Sequence, residues 1–509
     1  MRAYRATHRG DAVAGVAGQW ENSVCTACQE DETVHVRAAV RENARERRTG
    51  QRQRRRVCKS ARAGRSPKSS LRNSRFDSMK TDMVMPEMLA PVVSSSDAFN
   101  PSTDSLHAAM RPIIMLAQCF SMLPVCGINK PDASYLRFSW RNPKILYSAV
   151  AILGVFFMSV ANVVRLLTSK LNSTKMTTFV FYATAMATAI MFVRLAMQWP
   201  CLALTWEKLE REFTSRHRRI SKTTLATRFK IVTVVVMLLA LVEHSAAVVS
   251  AYISAVECAA YRGDTDVIGT YFQSQFPQIF TRMSYSLWKG ILVETINILS
   301  TFSWNFVDLF LILISIALAD QFRQLNSRLF SIREKAMPEW WWAEARNDYN
   351  HLATLTRRVD SYISSIVLLS FATNLYFICI QLLFSFNPIR DIVRKIYFCY
   401  SFGFLLSRTT AVSLYAASVH DESRLPAPIL YSVPGSSYNT EVTRFLMQVT
   451  TDNVSLTGMN FFSVTRGLVL TVAGTIVTYE LVLVQFNSVQ QGSLDQSNIT
   501  TACELFRYE

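Results

Sequence analysis

The stretch Phe461–Phe486 reads FFSVTRGLVLTVAGTIVTYELVLVQF, and its reading decides the rest of the chain. It is long enough to cross a bilayer, because ~20 mainly apolar residues suffice for a spanning helix. It also carries polar groups that hydrocarbon tolerates only when they face protein or a water-filled path. Thr471, Thr475 and Thr478 follow i, i+4, i+7 spacing and share one helical face. Extending that stripe reaches Gln485, while Gly467 and Gly474 thin one side of the helix. Such a stripe suits a pore wall shared between subunits. Close helix packing also uses Gly and Thr, so spacing alone leaves both readings open.

Working outward, six further apolar segments are long enough to span a membrane. They run at about residues 145–168, 177–199, 231–256, 285–318, 361–386 and 396–418. The fourth would measure ~50 Å as a helix, longer than one perpendicular crossing. It is therefore expected to continue beyond the bilayer into the polar segment 319–360. Residues 105–144 are apolar but interrupted by Pro112, Pro124 and Gly127, which predicts short broken helices beside the membrane. Polar loops are expected at 257–282 and, with Pro426, Pro428 and Pro434, at 419–460, the latter also read as a cytoplasmic anchor region that packs with 320–360 to form an assembly domain.

Seven spans put the two ends of the chain on opposite sides. The loop after the second span is strongly basic (Lys208, Arg211, Arg216, Arg218, Arg219), as is 319–360, so both belong on the cytoplasmic side. The N-terminus is then cytoplasmic. The sequons at Asn172 and Asn498, the latter in the tail 487–509, fall outside and are expected to be glycosylated. Residues 1–80 hold 19 Lys plus Arg against 8 Asp plus Glu. With few large apolar residues, 1–104 is predicted to be a disordered basic region. Met79 is a plausible alternative start, which would leave 1–78 outside the mature protein. The ten cysteines form no zinc-type pair of pairs, and a Cys258–Cys503 disulfide would lie outside.

The run Thr478-Tyr479-Glu480-Leu481-Val482-Leu483-Val484-Gln485-Phe486 resembles the T-Y-hhhhh-Q-F signature of insect gustatory receptors, where h is apolar and Glu480 departs from the pattern. The blocks 450–459, 473–477, 107–128 and 302–318 are similar to the sugar-receptor branch of that family. The resemblance covers roughly residues 105–490, and residues 1–100 resemble nothing identified. It implies an all-α, polytopic, tetrameric channel with seven transmembrane helices. In that picture the last helix lines the pore, and Gln485 and Phe486 lie near its external constriction. It further implies a sugar ligand, a ligand-gated non-selective cation current, homo- or hetero-tetrameric partners, and the plasma membrane of gustatory neurons.

Intramembrane polar residues are the candidate sites. Glu243 and His244 fall in the third span, Glu294, Asn297, Trp304 and Asp308 in the fourth, and Arg408 in the sixth. Pairing of Glu243 or Glu294 with Arg408 is one expectation. A sugar needs bidentate carboxylate and amide hydrogen bonds and aromatic faces. Glu294 and Asn297, at i, i+3, would supply the first, with His244, Tyr252, Trp304, Asp308, Tyr376 and Gln381 as further candidates. No H-E-x-x-H, G-x-S-x-G or Walker-type loop is present, so no enzyme, metal or cofactor is expected, and no nucleic-acid partner. The competing function is a seven-helix metabotropic receptor or secondary transporter for small polar ligands. The chain lacks D-R-Y and N-P-x-x-Y triplet signatures, and no internal repeat of the transporter kind is visible.

Overall fold

Fourteen consecutive positions that are nearly all apolar, Phe306–Ala319, give the fold its axis. A helix that is hydrophobic all round is buried either in protein or in lipid. The computed structural model agrees: every residue from 305 to 319 is buried. It describes residues 105–168, 173–214, 224–263, 265–333, 335–385 and 392–490. Among them the chain is helical, with only isolated β-bridges. In chain order the helices are α1 (Leu106–Cys119), α2 (Pro143–Thr168), α3 (Ser173–Thr214), α4 (Leu225–Arg262), α5 (Val267–Gln275), α6 (Pro277–Phe280), α7 (Leu287–Ser331), α8 (Glu339–Ser385), α9 (Ile392–Arg424), α10 (Pro426–Tyr431), α11 (Thr440–Thr451) and α12 (Arg466–Gln490).

The long helices α2, α3, α4, α8 and α9 all pack on α7. In α7 94% of the most apolar window is buried, against 11% for α4. The outer helices therefore turn their apolar faces outward, which is the pattern of a bundle solvated by lipid. Helices α2, α3, α4, α7 and α8 are each long and apolar enough to cross a membrane. With α9 and α12 they account for the seven spans read from the sequence.

Several helices outrun a bilayer and build a base at one end. There α7 reaches Ser331 and α8 starts at Glu339, so the polar segment 319–360 is two arms joined at 332–338, where Pro338 cannot continue a helix. Arg328 joins the arms by ion pairs to Glu344 and Asp348, each 3.0 Å, and by lying 4.9 Å from the Trp341 ring centroid. Trp341 and Trp342 are buried and Trp340 is exposed. Arg323 pairs with Glu422 on α9 at 2.7 Å, and Arg346 with Glu441 on α11 at 2.8 Å. Burial alone would raise the Glu441 carboxyl, but Arg346 and Arg444 outweigh it and hold it below its ordinary value.

Three expectations are corrected here. The segment 419–460 is not a loop. It carries α10, with Pro426 and Pro428 in its first turn, and α11, capped by the Asn439 side chain. The segment 257–282 carries the end of α4, α5 and α6 rather than an irregular loop. The final helix begins at Arg466, not Phe461, because Thr457 and Ser463 form an antiparallel bridge and Asp360 receives the Thr457 N–H and hydroxyl at 2.6 and 2.7 Å. In 105–144, Pro112 lies inside α1 without ending it. Cys258, at the far end of α4, is disulfide-bonded, while Cys503, Asn172 and Asn498 lie outside the described residues.

Candidate functional site

The end opposite the base carries a cleft of about 460 Å³ between α4, α5 and α7. His244, Val248, Val249 and Tyr252 come from α4, Glu294 and Ile298 from α7, and Tyr271 from α5. Residues 244, 248 and 252 are one turn apart each and so form one edge of α4. Three of the sequence candidates, His244, Tyr252 and Glu294, thus meet in one place. Tyr271, which periodicity gave no reason to select, donates to Glu294 Oε2 at 3.4 Å. Burial, reinforced by the neighbouring carboxylate, pushes the Tyr271 hydroxyl up to about 12, so it remains a donor across the physiological range. Asn297, one turn along α7 from Glu294, accepts from Tyr182 of α3 at 3.3 Å. The cleft is otherwise apolar, with two phenols, an imidazole and a carboxylate as its polar groups, a composition that fits ligand sites in general.

Deeper in the bundle, Asp308 and Arg408 form an ion pair at 2.8 Å with both side chains 2% exposed. The pairing expected between Arg408 and Glu243 or Glu294 is therefore corrected: the partner is Asp308. Ser370 and Asn374, one turn apart on α8, donate to the two Asp308 oxygens. Arg408 donates to the side-chain oxygens of Asn305 and Asn374. Its guanidinium lies 4.4 Å from the Trp304 ring centroid, within cation–π range. Helices α7, α8 and α9 are thereby locked through one polar knot. A buried ion pair persists only when its remaining donors and acceptors are filled, and this one has three amide or hydroxyl partners.

Tyr376 and Gln381 sit apart from the cleft. Gln381 donates to Ser401 at 3.4 Å, and Ser401 donates to Glu243 at 3.0 Å. Tyr376 and Trp304 pack around a cluster of Phe377, Ile378, Leu382 and Leu405 that also receives Ile476 of α12. The candidates thus divide into a cleft, a buried knot and an aromatic cluster that reaches the last helix. Ser370, Asn374 and Asn305 were legible in principle as intramembrane amides and hydroxyls at helical spacing beside Asp308.

Among the described residues, helix α12 packs chiefly on α8 and α9. Leu468, Val469, Val472 and Ile476 are its more buried positions, while Gly467, Thr471, Gly474, Thr475 and Thr478 are exposed. The three threonine hydroxyls each donate to the carbonyl four residues earlier, at 2.9–3.0 Å. The stripe is thus polar yet satisfied within its own helix. Tyr479 is 61% exposed. Gln485 and Phe486 fall within the span of α12.

A sequence model described as Trehalose receptor matches residues 63–495. The match begins earlier than the resemblance read from motifs, and it starts before Met79. The gustatory receptor for sugar taste 64f of Drosophila melanogaster is 39% identical over 400 residues, 78% of this chain and 84% of that protein. The gustatory receptor 5a for trehalose of the same organism is 36% identical over 383 residues, 75% of this chain and 85% of that protein. Among solved structures, the insect olfactory receptor OR5 from Machilis hrabei in complex with eugenol is similar with a TM-score of 0.54 at 13% identity. That match covers 74% of this chain and 97% of the olfactory receptor, and at such identity it establishes a shared fold.

Proposed function

Because this chain belongs to the trehalose receptor family, a multi-pass membrane protein family that includes sugar-taste gustatory receptors, we propose that it is a sugar receptor of the taste-neuron plasma membrane that acts as a ligand-gated, non-selective cation channel. The sugar is held in the α4–α5–α7 cleft. Glu294 accepts two adjacent hydroxyls, and Tyr271, released from Glu294, donates to the ligand. Tyr252 and His244 supply an aromatic face and a second hydrogen-bonding edge. Four protomers place α12 around a shared path, with Thr471, Thr475, Thr478 and Gln485 on or beside its wall. The partner protomers are copies of this chain or related sugar-receptor subunits. The observation that carries the channel reading is α12 itself, a polar, glycine-thinned helix with one side docked and the other bare. Hydrophilic pore walls stay wet, whereas apolar rings gate by dewetting. Coupling runs from the cleft along α7 to Trp304 and its cluster, where Ile476 docks.

The test is whole-cell current from the full chain, with mono- and disaccharides applied outside and G-protein signalling blocked. A fast, sugar-evoked cation current is expected. Glu294→Gln and Tyr271→Phe each remove one hydrogen bond, of ~0.5–1.5 kcal/mol, and should raise the half-maximal sugar concentration roughly 2- to 12-fold. Unchanged sensitivity in both variants would exclude the cleft as the sugar site. Absence of current, alone and with a second sugar-receptor subunit, would reject the channel.

A further inference from the structure

We propose that the segment joining α1 to α2 is a docking surface for anionic phospholipid headgroups of the inner leaflet. Lys130, Arg137 and Arg141 are exposed on it, within a few turns' length of Ile145, where the apolar face of α2 begins. Among the described residues none of the three has an ion-pair partner. The acids nearby are otherwise engaged: Asp132 lies 3.8 Å from Arg211, and Glu207 pairs with Arg211 at 2.5 Å and receives the Ala133 N–H at 3.1 Å. Three unmatched cations on one short segment leave a local surplus that an anion fits.

The cations are displayed on a fixed scaffold. Cys126 and Arg137 exchange both backbone hydrogen bonds, at 2.8 and 3.1 Å. Gly127 adopts φ +82°, and a Cβ there would stand 2.0 Å from the Tyr135 carbonyl oxygen, so only glycine lets the two bridged segments close. The Lys130 carbonyl bonds the His107 ring at 2.9 Å. Lys144 donates to Gln118 at 2.7 Å, and Tyr147 to the Cys119 carbonyl at 2.9 Å. The segment is thus tied to α1 and α2 at several points, and binding orders only side chains.

The neighbouring surface selects a lipid over a protein partner or a soluble phosphate. Tyr135 is 52% exposed and Trp140 45%, aromatics of the kind that sit at headgroup level. Directly beyond them α2 presents Leu146, Val150 and Leu153, 59–67% exposed and apolar. Cations and amphipathic rings alternate along 130–141 and lead directly into the aliphatic face of α2, so headgroup-binding and interfacial groups lie beside the acyl-chain level. The basic base end faces the leaflet that carries anionic lipid.

The experiment measures binding of a fluorescent short-chain phosphatidylinositol 4,5-bisphosphate to purified full-length protein in phosphatidylcholine nanodiscs. Each basic residue near a membrane surface contributes roughly fivefold, so Lys130→Gln/Arg137→Gln/Arg141→Gln should weaken binding on the order of a hundredfold. Arg282→Gln, an exposed cation at the opposite end, should leave it unchanged. If the triple variant fails to fold, Arg141→Gln alone must weaken binding roughly fivefold. Equal affinity of variant and parent overturns the proposal. So does competition by soluble inositol 1,4,5-trisphosphate as effective as by the lipid, which would make the surface a site for a free phosphate. Binding is read without current, so the result stands apart from the sugar reading.

Discussion

Neutralising Asp308 or Arg408 is the sharpest test of how the bundle is held. Each side chain is 2% exposed, and the two are 2.8 Å apart. Removing one partner of a buried pair leaves an uncompensated charge and destabilises by ~3–5 kcal/mol. Arg408→Met should fall at the upper end, because it strands the Asp308 carboxylate with only Ser370 and Asn374 donating to it, and it leaves the Asn305 amide oxygen unpaired. Asp308→Asn should fall at the lower end, since Arg408 keeps two amide oxygens and the Trp304 face. Unfolding entropy of ~2.1 cal/mol/K per residue turns these values into a drop in Tm of roughly 3–5 °C for a chain of this size. The assay is thermal melting of detergent-solubilised protein by fluorescence-detected size exclusion. The double variant Asp308→Asn/Arg408→Met removes both charges, so its loss should be at least 1 kcal/mol smaller than the sum of the singles, by roughly the coupling expected for contacting residues. Additive losses, or singles that melt within 1 °C of the parent, would refute a coupled buried pair.

Two more tests concern α12 and the base. A Cβ at Gly474 meets nothing within 4 Å in the single chain, so Gly474→Ala should leave the melting of the protomer unchanged. If that face packs against neighbouring subunits, the same variant should lower the tetramer fraction on native gels or the current. No change in either would remove Gly474 from the assembly face. At the base, Glu441 has a lowered folded-state pKa. Its contribution is therefore present above its unfolded value of ~4.5 and lost as pH falls through the folded one. Melting measured downward from pH 6 should show Glu441→Gln losing less stability than the parent below about pH 4.5. The difference should be small, because partly exposed pairs contribute roughly 0–1 kcal/mol each.

The sequence made the helical membrane class legible because ~20-residue apolar runs have few alternatives in water or lipid. The family was legible in Thr478, Tyr479, Gln485 and Phe486, since a short spacing pattern survives where overall identity has fallen. It also picked out His244, Tyr252 and Glu294, because an ionisable or hydrogen-bonding group within an apolar run is conspicuous against its surroundings. It misjudged 257–282 and 419–460 as loops. At 419–460, Pro426 and Pro428 sit in a first helical turn, where a missing N–H is harmless, so the breaker signal was read at the wrong place.

What the sequence determined by itself is what depends on near neighbours in the chain: span lengths, the threonine stripe of α12, the i, i+3 placement of Glu294 and Asn297, and the asymmetry of basic loops. Tertiary structure alone decided which of those faces meet. Glu294 finds Tyr271 on another helix, Arg408 finds Asp308 a hundred positions earlier rather than either glutamate, and Trp304 shares one buried cluster with Ile476 of the last helix. The physical reason is that a helix fixes the direction of its own side chains at 100° per residue, whereas its rotation and depth against neighbours are fixed only when all the buried faces are packed together.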